Sequence, residues 1–275
     1  MIGFSNQARQ KPEGVAGRDF VSWSQLSTFR QCPLRYQFRY LDRVEPEFVS
    51  SALLVGSSLH TAIEHHHRHQ LETDQVASLD ELLEAFWSEW KHRVEESPEV
   101  RFNKKEDINS IGQLADRMLR AFLDSEFAES PGIVIGIEES MRHSVVLDRP
   151  EFLGVVDLVF VNDGKLIIRD YKSSRSKWNQ GNAESSADQL LLYSELARQL
   201  MPDREVQLEF VVVTKTKSPD VELFQVSPDP KRLERTKRVA GLTLDAIETG
   251  VFYPNKTPMN CSTCPYRAAC SSWRG

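Results

Sequence analysis

The sequence predicts an α/β fold: a core sheet of short strands flanked by helices, with an α-helical insertion placed ahead of the core. Three observations carry that expectation. Helical periodicity runs from residue 21 to 128, the texture turns to short apolar strands after Pro131, and helical periodicity returns at 186–200 and 229–249. The 275 residues suffice for one large domain, and residues 20–275 are expected to form it.

Residues 1–19 are polar, with Lys11, Pro12 and several glycines, and read as a flexible lead. Leu26 and Phe29 then mark a helix with Ser22 or Ser24 available as its N-cap, and Pro33 ends or restarts it. Residues 53–70 form a second helix carrying Leu59, Ile63 and the run His65-His66-His67-Arg68-His69. Consecutive histidines point in different directions around a helix, so the run is expected to be a solvated face. Helices at 79–96 and 110–128 make up an insertion of about 75–128, with Phe86, Trp87 and Trp90 as its core. Strands follow at 133–147, 152–161 and 165–172, joined by Asp148-Arg149-Pro150 and Asn162-Asp163-Gly164. A helix at 186–200, strands at 206–214 and 221–226, and a helix at 229–249 lead to a cysteine tail at 261–270.

Composition excludes several classes. With 40% hydrophobic and 27% charged residues the chain is not disordered. Apolar runs such as Phe210-Val211-Val212-Val213 are far shorter than the roughly 20 residues of a membrane span. The opening residues lack the apolar stretch of a secretory signal, so a cytoplasmic location is expected. The net charge of −6 argues at first against a nucleic-acid partner. Locally the balance reverses, because Lys165 to Lys177 holds five basic residues and one acidic.

Cys32 stands alone, whereas Cys261, Cys264 and Cys270 form C-x2-C-x5-C. Disulfides explain such a set poorly in a reducing compartment, and four thiolates suit either zinc or an iron–sulfur cluster. Ligand identity alone does not separate the two. Either would clip the two ends of the chain together and contribute to folding.

The run FLGVVDLVFV is almost wholly apolar around Asp157, where an isolated carboxylate is costly unless paired or bound to a cation. In the next strand Asp170 and Lys172 point to one face. Two carboxylates on adjacent strands make a seat for Mg²⁺ or Mn²⁺, and the lysine can hold a water or offset developing phosphate charge. Upstream lies Gly56-x3-His60, and downstream Gln189 and Tyr193 share a helix face at i, i+4.

The ordered set Gly56/His60, Gly154/Asp157, Asp170/Tyr171/Lys172 and Gln189/Tyr193 resembles the RecB/AddB-type branch of the PD-(D/E)XK nuclease superfamily. The segment Ser22, Ser24, Leu26, Phe29, Cys32, Pro33 and the late cysteines resemble those of AddB and of CRISPR-associated adaptation nucleases, in which four such cysteines bind a [4Fe-4S] cluster. The resemblance spans about residues 21–271. It implies a restriction-endonuclease-like core, with His60, Asp157, Asp170 and the Tyr171 carbonyl on Mg²⁺ or Mn²⁺. It further implies Lys172 as catalytic lysine, Gln189 and Tyr193 supporting the site or contacting the DNA backbone, and Cys32, Cys261, Cys264 and Cys270 on the cluster. The activity implied is a DNA exonuclease on single-stranded ends in repair or recombination; the rivals are a non-cleaving DNA-end-binding subunit of a repair or CRISPR adaptation complex and a zinc-stabilised structural protein. No G-x4-G-K-[ST] loop is present, so unwinding is expected from a partner helicase. Glu64, one turn after His60, is a candidate to orient its imidazole. Trp178, after the basic run, marks either a loop that guides single-stranded DNA or an ordinary exposed loop.

Overall fold

The computed structural model describes residues 19–97, 99–129 and 131–274, so the expected lead at 1–19 lies outside the described residues apart from Asp19. The chain enters through a short strand, β1 (Phe20–Ser22), and helix α1 (Trp23–Gln31), whose Leu26 and Phe29 are buried. Ser22 is the residue before that helix, but its hydroxyl meets Ser24 Oγ at 2.9 Å instead of capping the helix. Pro33 restarts the chain as α2 (Pro33–Tyr36), which runs into one wide turn at Gln37–Leu41.

The helical layer is α3 (Ser51–Thr73), α4 (Leu79–Glu95) and α5 (Ile108–Leu123), with a two-stranded parallel pair, β2 (Val49–Ser50) and β3 (Val100–Arg101), at its edge. Side chains cap each of these helices. Ser50 accepts from the Leu53 amide, Ser78 and Glu81 form a reciprocal box, and Asp107 and Ser110 form another. The expected 110–128 helix stops at Leu123 and resumes as a single tight turn at Glu126–Ala128.

The main sheet holds β1, β4 (Ile133–His143), β5 (Glu151–Asn162), β6 (Lys165–Ser174), β7 (Val206–Thr214) and β8 (Val221–Val226). β4 lies along one edge of β5. The other edge is shared: β1 pairs with residues 151–153 and β6 with 158–162, so that ladder is open at 154–157. This fork in the sheet decides where the chemistry sits. β6 then pairs in parallel with β7, and β8 returns antiparallel.

Each face of the sheet buries its own core. On one face Leu166, Ile168, Phe210 and Val212 pack with α1, α7 (Asp188–Ala197) and α8 (Pro230–Glu248). On the other, Ile167, Tyr171, Val211 and Val213 pack with α3, α4 and α5, including Phe86 and Trp90, with Trp87 packed against them. The expected helix at 186–200 is the shorter α7, and a further helix that was not expected, α6 (Gln180–Ser186), precedes it.

The histidine run does not form a solvated face. His66 and His67 are buried at 0% and 2% exposure, because α3 lies on the sheet and both rings face inward. His66 Nε2 meets the Ala128 carbonyl at 2.9 Å and His67 Nε2 the Tyr171 hydroxyl at 2.8 Å, which satisfies one nitrogen of each ring. Burial holds His66 below its ordinary pKa and pushes His67 down to about 3, so His67 is neutral.

The tail returns to the start of the chain. Leu34 donates to the Tyr253 carbonyl, Glu47 to that of Pro265, and the Asn255 and Asn260 amides both reach the Gln31 carbonyl. Two short helical turns, α9 (Pro258–Ser262) and α10 (Arg267–Ser272), replace the irregular tail that its polarity suggests. Cys32, Cys264 and Cys270 pack on a small third cluster of Leu34, Phe38 and Tyr266, while Cys261 lies half-buried on α9. Among the described residues no helix is long and apolar enough to cross a membrane.

Candidate active site

Asp157 stands in the open part of the fork. With no strand among the described residues beside it on that edge, its Oδ2 accepts the Tyr171 amide of β6 at 2.7 Å, so a side chain takes the place of a ladder bond. The alternation of β5 breaks at the same point: Val156 packs into the first core, whereas Leu158 and Phe160 pack into the second. Groups from both faces of the sheet therefore converge on one place. From α3, His60 Nδ1 reaches Asp157 Oδ2 at 3.2 Å. From β6, Lys172 Nζ lies 2.6 Å from Asp170 Oδ2, and from α7, Gln189 Oε1 accepts from Lys172 at 3.2 Å while Gln189 Nε2 donates to the Tyr193 hydroxyl at 3.0 Å. The structure brings His60, Asp157, Asp170, Lys172, Gln189 and Tyr193 into this one chain of contacts. The Tyr171 side chain points away, to His67 on the far face.

Gly154, three residues before Asp157, is required by a close approach. A Cβ there would lie 2.5 Å from Leu196 Cδ1 and 2.9 Å from the Tyr193 ring, so the missing side chain lets α7 settle onto β5. The glycine of Gly56-x3-His60 is under no such pressure: a Cβ there meets only Ser173 Oγ, at an ordinary 3.6 Å.

Glu138 is the residue that sequence reasoning missed. Its neighbours in β4 pair as Ile137 with Leu158 and Glu139 with Val156, which sets Glu138 opposite Asp157. One ligand atom each from His60, Glu138 and Asp157 lie within 4.8 Å of one another. Strand alternation could not choose between Glu138 and Glu139, because a register shift between Val134 and Gly136 displaces the phase. Glu138 also adopts φ 49°, a left-handed conformation costing about 1–3 kcal/mol that clusters at functional sites. The nearby Gly136 was the available signal. Glu64, by contrast, is engaged by Arg68 at 2.8 Å.

The electrostatics are those of a crowded acidic row. Burial and the nearby Asp157 raise the Asp170 carboxyl to about 6, against the pull of Lys172. For Asp157, burial is outweighed by His60, Lys172 and the Tyr171 amide, which hold it below its usual range. Burial and Asp157 raise Glu138 to about 7. Burial alone would lower Lys172 and His60, but attraction to Asp170 and Asp157 respectively holds both above their ordinary values. Lys172 is thus a cation. Asp170 Oδ2 is buried, and the Lys172 ammonium at 2.6 Å is its close polar contact among the described residues. An imidazole nitrogen and several buried, crowded carboxylate oxygens fit a hard divalent cation.

The basic run is largely neutralised. Lys165, Arg169, Lys172 and Lys177 each pair with a carboxylate (Glu205, Glu209, Asp170 and Asp220), and Arg175 donates to Asn103. Trp178 packs edge-on against Phe210 at 5.5 Å and beside Phe224 at 6.2 Å, so it belongs to the core margin rather than to an open stacking platform.

Among solved structures the chain is similar to the "Putative exonuclease" from Eubacterium rectale, at 15% identity and TM-score 0.58 over 94% of this chain and 89% of that one. A second, SSO0001, covers 92% of this chain and 96% of its own at 15% identity, but its TM-score of 0.37 is too low to bear on the fold. No curated protein matches the chain in sequence. The model of the PD-(D/E)XK nuclease superfamily matches residues 21–271, a span that includes the forked sheet, both aspartates and the lysine. The chain belongs to the PD-(D/E)XK nuclease superfamily.

Proposed function

We propose that this chain is a metal-dependent DNA exonuclease of the RecB/AddB type, acting on single-stranded ends in repair or recombination. The observation that carries the reading is the open acidic row: Glu138, Asp157 and Asp170 on three adjacent strands, with His60 over them and the Lys172 cation beside them. His60, Asp157 and Asp170 would hold Mg²⁺ or Mn²⁺, with Glu138 and the Tyr171 carbonyl as further oxygen donors. When bound, the ion supplies Lewis-acid activation of a water and of the scissile phosphate.

The chain's own residues account for the rest. Lys172 stays protonated, so it donates to a phosphate oxygen or to the attacking water and is not the base. Burial and Asp157 raise the Glu138 carboxyl to about 7 without a cation; its ionised form, favoured beside a bound divalent ion, suits an oxygen donor rather than a base. Gln189 restrains the Lys172 ammonium and Tyr193 restrains Gln189, so these two position the lysine. Lacking a phosphate loop for ATP, the chain would draw single strands from a partner helicase.

The four cysteines are read as ligands of a [4Fe-4S] cluster that ties the tail to α1 and α2. Docking of the tail beside Cys32 and the packing of Cys264 and Cys270 on the same apolar cluster support this. Iron with acid-labile sulfide in anaerobically purified protein is the expected result; stoichiometric zinc in a colourless protein would reverse it.

The activity is tested with linear and circular single-stranded DNA in Mn²⁺. Degradation of the linear strand alone, lowered on the order of 10³-fold in folded Asp170→Ala and Lys172→Ala, is expected. Binding of ends without any degradation would instead identify an end-binding subunit.

A further inference from the structure

A second cluster of metal-ligating side chains lies away from the acidic row. His65 and His69 stand one turn apart on α3, and Glu81 lies in the first turn of α4. One ligand atom from each falls within 4.8 Å of the other two. At 100° per residue, His65 is displaced by about 140° around the helix from His60, so it cannot serve the catalytic row.

Each of the three is placed to accept an ion. His65 Nε2 is buried and has no hydrogen-bond partner among the described residues, an unsatisfied state that normally needs an explanation. His69 Nδ1 is 3.7 Å from Glu81 Oε1, too far for a hydrogen bond between them. Glu81 is already fixed through its other oxygen, which accepts from the Ser78 amide at 2.7 Å and the Ser78 hydroxyl at 2.6 Å. Oε1 therefore remains free on a carboxylate whose rotamer is set. The Glu81 side chain keeps 43% of its surface exposed and His69 23%, which leaves an entry path and room for a water as fourth ligand.

We propose that His65, His69 and Glu81 bind Zn²⁺, or a similar borderline first-row cation, and clip α4 to the helix that carries His60. Two imidazoles and one carboxylate suit zinc and disfavour Mg²⁺, which prefers oxygen donors throughout. With metal–ligand bonds of about 2.0–2.1 Å, tetrahedral ligands stand about 3.3 Å apart, so modest side-chain rotation closes the site. The ion joins two helices whose connection is the short segment 74–78. Its effect is mechanical, and it is independent of the nuclease reading.

The full-length protein, stripped with chelator, is titrated with Zn²⁺ in excess Mg²⁺. Bound zinc per chain and the zinc-induced rise in Tm are measured for wild type, His65→Ala, Glu81→Gln and Asp170→Ala. Glu81→Gln retains a side chain able to complete the capping box, so it preserves the start of α4 while weakening the ligand. One fewer tightly bound zinc and a smaller Tm rise are expected in His65→Ala and Glu81→Gln, with that same zinc retained in Asp170→Ala. Wild-type zinc content and an undiminished Tm rise in both His65→Ala and Glu81→Gln would overturn the site. Mg²⁺-dependent activity of Glu81→Gln in zinc-free buffer should equal that of wild type.

Discussion

Arg169 and Asp170 are neighbours on β6, both buried, and they meet opposite fates. Arg169 faces Glu209, its exact register partner on β7, and donates to Glu209 Oε2 through Nε and Nη2 at 3.0 and 2.9 Å. The guanidinium also lies near the Phe160 and Phe127 rings, and Gln207 donates to the remaining Glu209 oxygen. That pair is closed. Asp170, on the other face, shares its surroundings with Asp157, and its carboxyl is raised to about 6 despite the ammonium 2.6 Å away. The difference teaches that burial of charge by itself does not mark a functional site. What sets Asp170 apart is crowding by a second carboxylate, which Glu209 does not meet.

The comparison breaks most sharply if the two neighbours are exchanged in role. Glu209→Ala leaves Arg169 as an uncompensated buried charge and should cost about 3–5 kcal/mol in urea unfolding, with specific activity of the folded fraction unchanged. Asp170→Ala should do the reverse, removing activity at a smaller cost in stability, because Asp157 remains near the Lys172 cation. Equal effects of both variants on activity would erase the distinction.

Next in size is Gly154→Ala. Its Cβ would enter the space of Leu196 and Tyr193, which should cost about 1–3 kcal/mol and, by displacing α7, loosen the Gln189–Lys172 contact and lower kcat. Gly56→Ala has room and sits inside a helix, so it should be neutral or stabilising by up to about 1 kcal/mol. The two glycines belong to similar motifs, yet only one is sterically required.

A third test concerns proton linkage. The Asp170 carboxyl is raised in the folded state from 3.8 to about 6, so between those values the folded protein holds the proton more tightly than the unfolded chain. Its contribution to stability therefore falls as pH rises from about 4 to about 6. Asp170→Asn removes this loss: without metal it should be more stable than wild type at pH 7.5, by on the order of 2 kcal/mol, and the gap should close toward pH 4. Added Mn²⁺ should raise the Tm of wild type more than that of Asp170→Asn. A gap that widens on acidification would refute the assignment of Asp170 as the strained member of the row.

Much of the site was legible because its residues obey short-range rules. Asp170 and Lys172 share a face by strand alternation, Gln189 and Tyr193 share one by helical spacing, and the hairpin through Asn162 and Lys165 brings β5 beside β6. Glu138 escaped because a register shift upset alternation in β4, and His66 and His67 because polarity suggested solvent where their partners are a carbonyl and a tyrosine hydroxyl. The positive run from Lys165 to Lys177 misled for a related reason: most of its partners come from other elements, including Glu205, Glu209 and Asp220.

By itself the sequence determined the α/β order of elements, the strands that carry Asp157 and Asp170, and the uneven set of four cysteines, since periodicity and spacing are local properties of the chain. Tertiary structure alone decided that the sheet forks at residues 154–157, that Glu138 stands opposite Asp157, and that burial beside Asp157 raises the Asp170 carboxyl. It also decided which charges are closed off and which face an opening. Those outcomes depend on which distant groups reach one another, and a carboxylate's role follows from its partners rather than from its place in the chain.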